Sequence, residues 1–273
     1  MNMVEIQISV GRIMYKLLYP YLVMISIEKY GRFGNNVQQI INAIYTAEEK
    51  HITIIKYSLP QFKNFTINLK FEDTNSIKIH DTFFRIDYEL SYKDKQRIAI
   101  QYLLPILIYS RLPTGFEDHY SSALFVHIRS GDIFINKGES KYTQPPLDYY
   151  ITIFSKEKSR QFIILYEDDK NPVVNALKSL YPTAIFKCVR LDILITIFMN
   201  AQHIVNSVGT LIKGISYFNT TIKTFYSTIN YHIKKDDISN MTIVSLPNYI
   251  TNWENTENQR KIMIDYKGTV IET

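Results

Sequence analysis

The sequence predicts an α/β fold made of two strand–helix lobes. From residue 123 onward, apolar strands alternate with amphipathic helices in several successive β–α units, which is typical of a doubly wound, mostly parallel sheet. An earlier strand–helix–strand order over residues 21–58 predicts a second parallel sheet with a right-handed crossover. The segment 111–122 carries proline, glycine and polar residues, and it therefore predicts a linker between the lobes.

Size and composition set the broad class of the protein. The chain has 273 residues, enough for one large domain or two modest ones. Apolar residues make up 46% and charged residues 21%, which is ordinary for a folded protein. The net charge of +5 and the pI of about 9.0 favour an anionic partner. Because the lysines are dispersed rather than gathered in a basic run, we expect a mildly basic globular protein that binds no nucleic acid; a small anionic ligand is the open alternative.

Two further features narrow the class. The one cysteine, Cys188, excludes an internal disulfide, and its place in "AIFKCV" predicts a buried core thiol rather than a nucleophile. No Cys/His spacing of a zinc site is present. The apolar stretch 17–27 is shorter than the ~20 residues that span a bilayer, and Pro20 interrupts it. We therefore expect a buried strand after a short leader, and no transmembrane segment.

The first lobe is predicted to begin with a strand over 21–27 and a helix over 35–49. The helix prediction depends on apolar residues at helical spacing: Val37, Ile40, Ile41 and Ile44. The predicted elements that follow are the strand "HITIIKYS" (51–58), the strands "SIKIH" and "TFFRIDYEL", and the helix "KDKQRIAIQYLLPILIYSRL" with a kink at Pro105.

The second lobe is predicted from plainer alternation. Its strands are "ALFVHIR", "QFIILYEDD", "AIFKCV", "HIVNSV" and "IKTFYST". Its helices are "PPLDYYITIFSKEKS", "NPVVNALKSLY" with Asn171 as a possible cap, "LDILITIFMNAQ" and "GTLIKGISYFN". We predict domains at 1–115 and 120–245, and a tail at 246–273 whose helix packs back across both.

Two lobes create a cleft, and ligands of open α/β sheets bind at the carboxyl ends of strands. The first stretch in such a position is "GRFGNN". Gly31 and Gly34 allow tight backbone and positive φ, and Asn35 and Asn36 can cap the helix or aim their amides into the cleft. A simple strand-to-helix turn explains the glycines equally well.

The second stretch is "LFVHIRSGD" (124–132), a hydrophobic strand that ends in polar residues. Alternation places His127 and Arg129 on the same face of the strand. An arginine at a strand end, beside a glycine turn, can bind a pair of phosphates with its fork of N–H groups. Asp132 could cap the turn, orient Arg129 or His127, or act as a base. The alternative is an exposed arginine in a surface loop.

The third stretch is "LDILITIFMNAQHIVNSVGTLIKGISYF" (191–218). Its strand ends at Asn206 and Ser207, and Gly209 and Thr210 open the next helix. Hydroxyls and free N–H groups at a helix start predict an anion site. The alternative is ordinary N-capping of the helix by Ser207 or Thr210.

Together these stretches resemble the fucosyltransferase superfamily, which includes the α-1,2- and α-1,6-fucosyltransferases and the protein O-fucosyltransferases. "GRFGNN" is close to the Gly-Arg-Phe-Gly-Asn-Gln of the protein O-fucosyltransferases. "VHIRSGD" is similar to the His-x-Arg-Arg-Gly-Asp of the α-1,2 family, and "FIILYEDD" resembles its strand ending in Ser-Asp-Asp. The third stretch is similar to its block of Asp-x-x-x-Met followed by His-x-x-x-x-Asn-Ser-Ser-Phe-Ser. The resemblance covers roughly 30–215, and its specificity lies in the order of short motifs.

The resemblance implies a GT-B fold, in which two Rossmann-like domains face each other across a cleft. It also implies inverting transfer from GDP-fucose to a glycan hydroxyl, with no cofactor and no essential metal ion. The motif arginine that holds the donor diphosphate is Arg129, and the supporting histidine is His127. The other positions implied for donor binding are Gly34, Asn35, Asp168, Asp169, Asn206, Ser207, Gly209 and Thr210. The acceptor side falls to the first domain, and the lack of an anchor suggests a cytoplasmic protein of bacterial or viral source.

The catalytic base is predicted among carboxylates that follow the arginine motif, and Asp132 and Glu139 are the candidates. The sequence departs from the family where Ser130 replaces the second arginine, and where Gly209 and Leu211 replace aromatic residues. Three other readings stay open. "YEDDKN" could be the metal-binding aspartate pair of the other large glycosyltransferase architecture. The chain could also be a non-catalytic nucleotide- or glycan-binding module, or, from its pI alone, a nucleic-acid binder.

Overall fold

The computed structural model describes residues 5–6, 24–27, 31–50, 54–57, 61–62, 65–68, 78–79, 90–109, 112–135, 142–229, 238 and 240–272. The chain forms two units, Met1–Ile108 and Tyr109–Thr273. Both contain parallel strand pairs and helices, so the predicted α/β class is confirmed. The predicted limits of the domains place the boundary slightly later in the chain. The roles of the two lobes and their arrangement about a cleft stay predictions.

Strands and helices are numbered in chain order. The strands of the first unit are β1 (Glu5–Ile6), β2 (Met24–Ile27), β3 (Ile54–Tyr57), β4 (Phe65–Asn68) and β5 (Lys78–Ile79), and its helices are α1 (Phe33–Lys50) and α2 (Tyr92–Ile98). The strands of the second unit are β6 (Leu124–Ile128), β7 (Phe162–Tyr166), β8 (Ile185–Cys188), β9 (His203–Val205), β10 (Thr224–Ser227), β11 (Met241–Ser245) and β12 (Val270–Ile271). Its helices are α3 (Leu147–Lys156), α4 (Pro172–Leu180), α5 (Leu191–Asn200), α6 (Thr210–Ser216) and α7 (Glu257–Asp265).

The first unit contains the predicted strand–helix–strand motif. Strands β2 and β3 are parallel neighbours on either side of α1 in the chain, and β4 adds to β3 in the antiparallel direction. The apolar residues that predicted α1 are all buried: Val37, Ile40, Ile41 and Ile44. β1 and β4 were not predicted, and most of the predicted strand "TFFRIDYEL" lies outside the described residues.

The helix before the unit boundary changes its winding at the predicted proline. After α2 the chain continues as a π-helical turn over Ala99–Leu103 and then a 3₁₀ turn over Leu104–Ile106, with Pro105 in that turn. Proline has no N–H to give to the carbonyl four residues earlier, so an α-helical ladder cannot continue through it. The regular helix therefore ends well before residue 112, where the sequence pattern placed its end.

A seven-stranded sheet with the order β12-β11-β10-β9-β6-β7-β8 forms the centre of the second unit. All neighbouring strands are parallel except β11 and β12. From β6 the chain proceeds outward through β7 to β8, then returns to the other side of β6 and proceeds through β9 to β11. The order of strands thus reverses between β6 and β9, which is the switch point where open α/β sheets bind ligands.

Apolar strands and helices alternate in the second unit as predicted. β6 is buried along its whole length, and the core residues of α3, α4 and α7 pack in one cluster with side chains of β6 and β7. These strands could be predicted because a strand buried on both faces appears in the sequence as a continuous apolar run. Such runs alternate with the helical patterns. β11 was not predicted.

The C-terminal tail contacts the second unit. β12 pairs with β11. Trp253 is completely buried in the core cluster of this unit, and its ring meets the Phe134 ring at 5.4 Å with an interplanar angle of 67°. The helix predicted for this segment is α7, and its buried residue is Met263. Packing of the tail across both domains stays a prediction.

Cys188 corrects one prediction. Its thiol is exposed, whereas "AIFKCV" suggested a core position. The reason is the place of β8 at the edge of the sheet, where the second half of the strand faces solvent. Among the residues that the structure describes, no helix has the length and apolarity needed to cross a bilayer.

Candidate functional site

The reversal of strand order brings the second and third motifs together. Arg129 directly follows β6 and Ser207 follows β9. The Arg129 backbone N–H donates a hydrogen bond to Ser207 Oγ, with an N–O distance of 3.0 Å. Two residues that lie 78 positions apart in the sequence therefore form one site at the carboxyl edge of the sheet.

The Arg129 side chain lies against three neighbours. Its guanidinium carbon is 4.5 Å from the centre of the Tyr142 ring, which is within cation–π range. Its Nη2 is 3.8 Å from Asp132 Oδ1. A Cβ added to Gly209 would lie 2.3 Å from Arg129 Nη1, so the guanidinium occupies the space that a side chain at position 209 would need. The Arg129 side chain is mostly buried, which raises the strength of its interaction with an anion.

His127 is a buried neutral base beneath the arginine. Its Nδ1 is 3.2 Å from Ser207 Oγ, and its ring meets the Phe198 ring edge-on at 6.1 Å. Burial, helped by the charge of Arg129, lowers the pKa of His127 to about 3. Ser207 Oγ accepts from the Arg129 N–H and also hydrogen-bonds His127 Nδ1, in a direction set by the imidazole tautomer. His127 thus holds Ser207 in position, and Ser207 holds Arg129.

The two aspartates after β7 each have lysine partners. Asp168 accepts hydrogen bonds from the Ser130 hydroxyl and, at 2.5 Å, from Lys170 Nζ. Partial burial opposes its ionisation, but the bonds from Lys170 and Ser130 outweigh that cost and lower the pKa of Asp168 to about 2. Asp169 pairs with Lys178 Nζ at 2.8 Å. The two carboxylates therefore pair with different lysine side chains.

The start of α6 differs from the alternative that the sequence allowed. Gly209 is the N-cap residue, with φ of 99°. Neither Ser207 nor Thr210 therefore occupies the N-cap position. Asn206 is completely buried, and its carbonyl oxygen accepts a bond of 2.6 Å from the Tyr149 hydroxyl. Asn206 supports the end of β9, whereas Thr210 is partly exposed in the first turn of α6.

The tail supports the turn that carries Asp132. This 3₁₀ turn, Gly131–Phe134, directly follows the arginine motif. Trp253 Nε1 donates to the Ile133 carbonyl at 3.4 Å, and Arg260 Nη2 donates to the Phe134 carbonyl at 3.0 Å. The Asp132 side chain itself is half-exposed, as a group that exchanges a proton with a bound substrate requires.

In the first unit the elbow forms a tight turn followed at once by α1. Gly31 has φ of 68°, and a Cβ at this position would collide with the Asn35 side-chain amide. Gly34 is helical and has no positive φ, so that part of the prediction is wrong. Asn35 and Asn36 lie inside the first turn rather than before it, because α1 begins at Phe33. Asn36 is completely buried, and within the described part of the chain neither its amide nitrogen nor its amide oxygen has a hydrogen-bond partner.

Arg129 therefore lies next to Ser207, Asp132 and Gly209, and His127 contacts Ser207. Asp168 bonds Ser130 and Gly131, whereas Asp169 pairs with Lys178. Glu139 lies outside the described residues. Sequence reasoning missed Tyr142, since no pattern marks an aromatic residue that will stack on an arginine. It noted Asn171 only as a cap, but the Asn171 amide also bonds the Arg129 carbonyl at 2.9 Å. Among residues 5–272 that the structure describes, no three His, Cys, Asp or Glu side chains gather in a metal-binding group.

No family model matches the sequence, and no curated protein matches it. Three solved structures show distant likenesses. E. coli ADP-heptose LPS heptosyltransferase II is 9% identical with a TM-score of 0.36, and the match covers 57% of this chain and only 48% of that one. POFUT1, in a crystal structure with GDP-fucose, is 10% identical with a TM-score of 0.39, over 76% of this chain and 98% of that one. E. coli heptosyltransferase WaaC, with ADP-2-deoxy-2-fluoro heptose, is 8% identical with a TM-score of 0.40, over 88% and 98%. Likeness at this level establishes neither a shared topology nor a shared activity.

Proposed function

We propose that this protein is an inverting glycosyltransferase of the GT-B type that transfers fucose from GDP-fucose to a glycan hydroxyl without an essential metal ion. The order of the three motifs supports the superfamily. The single observation that carries the proposal is the position of Arg129. Its guanidinium lies at the switch point of a parallel sheet, where nucleotide ligands of open α/β sheets bind.

The chemistry asks for what the arrangement offers. When the bond between the sugar C1 and the diphosphate oxygen breaks, its electron pair goes to the diphosphate, and the sugar ring gains positive charge. The guanidinium of a mostly buried side chain that is fixed before the reaction stabilises that departing anion at little cost in reorganisation. The oxygen of the acceptor hydroxyl bonds to C1 from the face opposite the diphosphate. A carboxylate takes the proton of that hydroxyl.

Asp132 is the described candidate for this base, and Glu139 is the other. Asp132 lies on the turn that directly follows the arginine motif, half-exposed, with its carboxylate 3.8 Å from Arg129 Nη2. Because inversion needs the base on the face of C1 opposite the diphosphate, this position beside Arg129 does not favour Asp132 over Glu139. In this scheme Ser207 and His127 serve by orienting Arg129. The other donor-side residues of the second unit follow β7 and β9, at the same edge of the sheet.

The test is a thermal-shift panel of GDP, UDP, CMP and ADP with the wild-type protein. A ligand at 100 times its Kd stabilises the folded state by about 2.7 kcal/mol, which is readily measured. We expect GDP to raise the melting temperature most. Arg129→Ala should abolish the shift, and Arg129→Lys, which keeps the charge but loses the planar fork, should retain part of it. The proposal is wrong if no nucleoside diphosphate stabilises the protein, and preference for another base would replace GDP-fucose with another nucleotide sugar.

One observation favours a second candidate, a non-catalytic nucleotide- or glycan-binding module. Ser130 stands where the family has a second arginine, so one positive charge is missing. Formation of GDP from GDP-fucose separates the two candidates, because an inactive module binds the nucleotide sugar but does not cleave it to GDP. The same assay with EDTA tests the metal requirement: loss of GDP release with the chelator would contradict metal-independent transfer and favour the aspartate pair of "YEDDKN".

A further inference from the structure

The backbone of Arg129 is held from two sides. Its N–H donates to Ser207 Oγ at 3.0 Å, and its carbonyl oxygen accepts from Asn171 Nδ2 at 2.9 Å. The two partners come from different elements, since Ser207 follows β9 and Asn171 precedes α4. Both polar backbone groups of the arginine are therefore fixed by side chains of neighbouring segments.

Asn171 uses its whole amide in this arrangement. Its Oδ1 accepts from the Val173 N–H at 3.0 Å and so caps α4, while its Nδ2 bonds the Arg129 carbonyl. The side chain is almost completely buried, which excludes direct contact with a ligand. One amide thus ties the first turn of α4 to the residue that follows β6.

Ser130 and Asp168 extend the same connection. The Asn171 N–H donates to Ser130 Oγ at 3.2 Å, and the Ser130 hydroxyl donates to Asp168. Asp168 also accepts from the Gly131 N–H at 3.4 Å and the Lys170 N–H at 3.1 Å. Every peptide from Arg129 to Gly131 is therefore bonded to the loop between β7 and α4.

We propose that Asn171 is a positioning residue for Arg129, an assignment that rests on the proposed function. The direction of the arginine side chain follows from the orientation of its own backbone. Because an active-site group must be held within about 0.5 Å of its productive geometry, a hydrogen bond that fixes this backbone controls how the guanidinium meets the diphosphate. Ser130, which replaces the family's second arginine, is part of the same hydrogen-bond network, since it bridges Asn171 and Asp168.

The test separates the two bonds of Asn171. Asn171→Ser keeps an oxygen that can cap α4 and removes the donor to the Arg129 carbonyl. Thr256→Ala is the matched control, because Thr256 caps α7 through the Gln259 N–H at 3.2 Å, as Asn171 caps α4. Affinity for GDP and the melting temperature without nucleotide are measured for both variants and for the wild type.

We expect Asn171→Ser to weaken GDP binding about 10-fold, the upper end of what the loss of one hydrogen bond costs, with a melting temperature within about 4 °C of wild type. Thr256→Ala should lower the melting temperature and leave GDP affinity within about 2-fold. Wild-type affinity in Asn171→Ser, or equal weakening in both variants, overturns the positioning role while the proposed function stands. If the wild type binds no nucleotide, both fail. If Asn171→Ser cannot be purified, Asn171→Asp takes its place, and failure of both to fold makes Asn171 a structural residue.

Discussion

Position 209 requires a glycine for two reasons, namely its backbone conformation and the lack of space for a Cβ beside its Cα. The residue has φ of 99° and ψ of −178°, a region essentially restricted to glycine that other residues enter at a cost of about 1–3 kcal/mol. Its Cα also faces the Arg129 guanidinium so closely that a Cβ would lie 2.3 Å from Nη1. The first requirement concerns the stability of the protein, and the second concerns its site.

Two alanine substitutions separate these requirements. Gly115 also has a positive φ, of 75°, but nothing lies within 4 Å of the place where its Cβ would be. We expect both Gly209→Ala and Gly115→Ala to lower the free energy of unfolding, each by about 1–3 kcal/mol. Only Gly209→Ala should also lose GDP affinity, because its methyl group displaces the guanidinium. Equal GDP affinity in the two variants would show that the arginine is not held where the structure has it.

His127 predicts a specific dependence of stability on pH. Its pKa is about 3 in the folded protein and near 6.5 when unfolded, so the unfolded chain binds the proton first as the pH falls. The contribution is complete above pH 6.5 and is lost progressively between pH 6.5 and 3. Since one pKa unit corresponds to about 1.4 kcal/mol, the loss reaches several kcal/mol.

The measurement is urea unfolding at a series of pH values from about 7 down to about 4.5, a range in which the histidine of the unfolded chain takes up its proton. In His127→Asn, whose amide oxygen can still accept from Ser207, the free energy of unfolding should fall less steeply with acid than in the wild type. Parallel curves for the two proteins would mean that His127 is not a buried neutral base.

At the residue scale the sequence predicted which side chains lie near Arg129 better than it predicted their contacts. Strand alternation was enough to pair His127 with Arg129, since the period of a strand is fixed. It could not show that the Ser207 hydroxyl would bond the Arg129 backbone, because that contact depends on which strands become neighbours. The double use of Asn171 was hidden for the same reason.

Among the elements, α1 and the alternation after residue 123 could be predicted because burial on one face or on both leaves a regular apolar pattern. Pro105 marked a break correctly, but the π and 3₁₀ turns around it follow from packing rather than from pattern. β8 shows a further limit. "AIFKCV" reads as a buried strand, yet a strand at the edge of a sheet lacks one neighbour, and the edge position is a property of topology.

The position of β8 predicts an accessible thiol. Cys188 is exposed, with its Sγ 3.0 Å from the Glu167 carbonyl oxygen. We expect the native protein to react with one equivalent of a thiol reagent such as DTNB without prior unfolding. Cys188→Ser should abolish the reaction and change the free energy of unfolding by no more than about 0.5 kcal/mol. A thiol that reacts only in denaturant would contradict the exposed edge.

For the molecule as a whole, one side chain reports on one unit. Trp253 is the only tryptophan, and it is completely buried in the core of the second unit. Its fluorescence therefore follows the unfolding of that unit, whereas far-UV circular dichroism follows the helices of both. We expect saturating GDP to raise the midpoint of the fluorescence transition, because the proposed nucleotide site lies in the same unit. A shift seen by circular dichroism alone would place the nucleotide elsewhere.

Trp253 and Arg260 also bear on which shortened versions of this gene product can work. Every recognisable signature ends before residue 220, yet these two donors hold the carbonyls of Ile133 and Phe134 from the far end of the polypeptide. A premature stop codon after residue 245 would leave every signature intact and remove both supports. A motif search of a genome would identify such a truncated protein as functional, but we expect it to have no transferase activity.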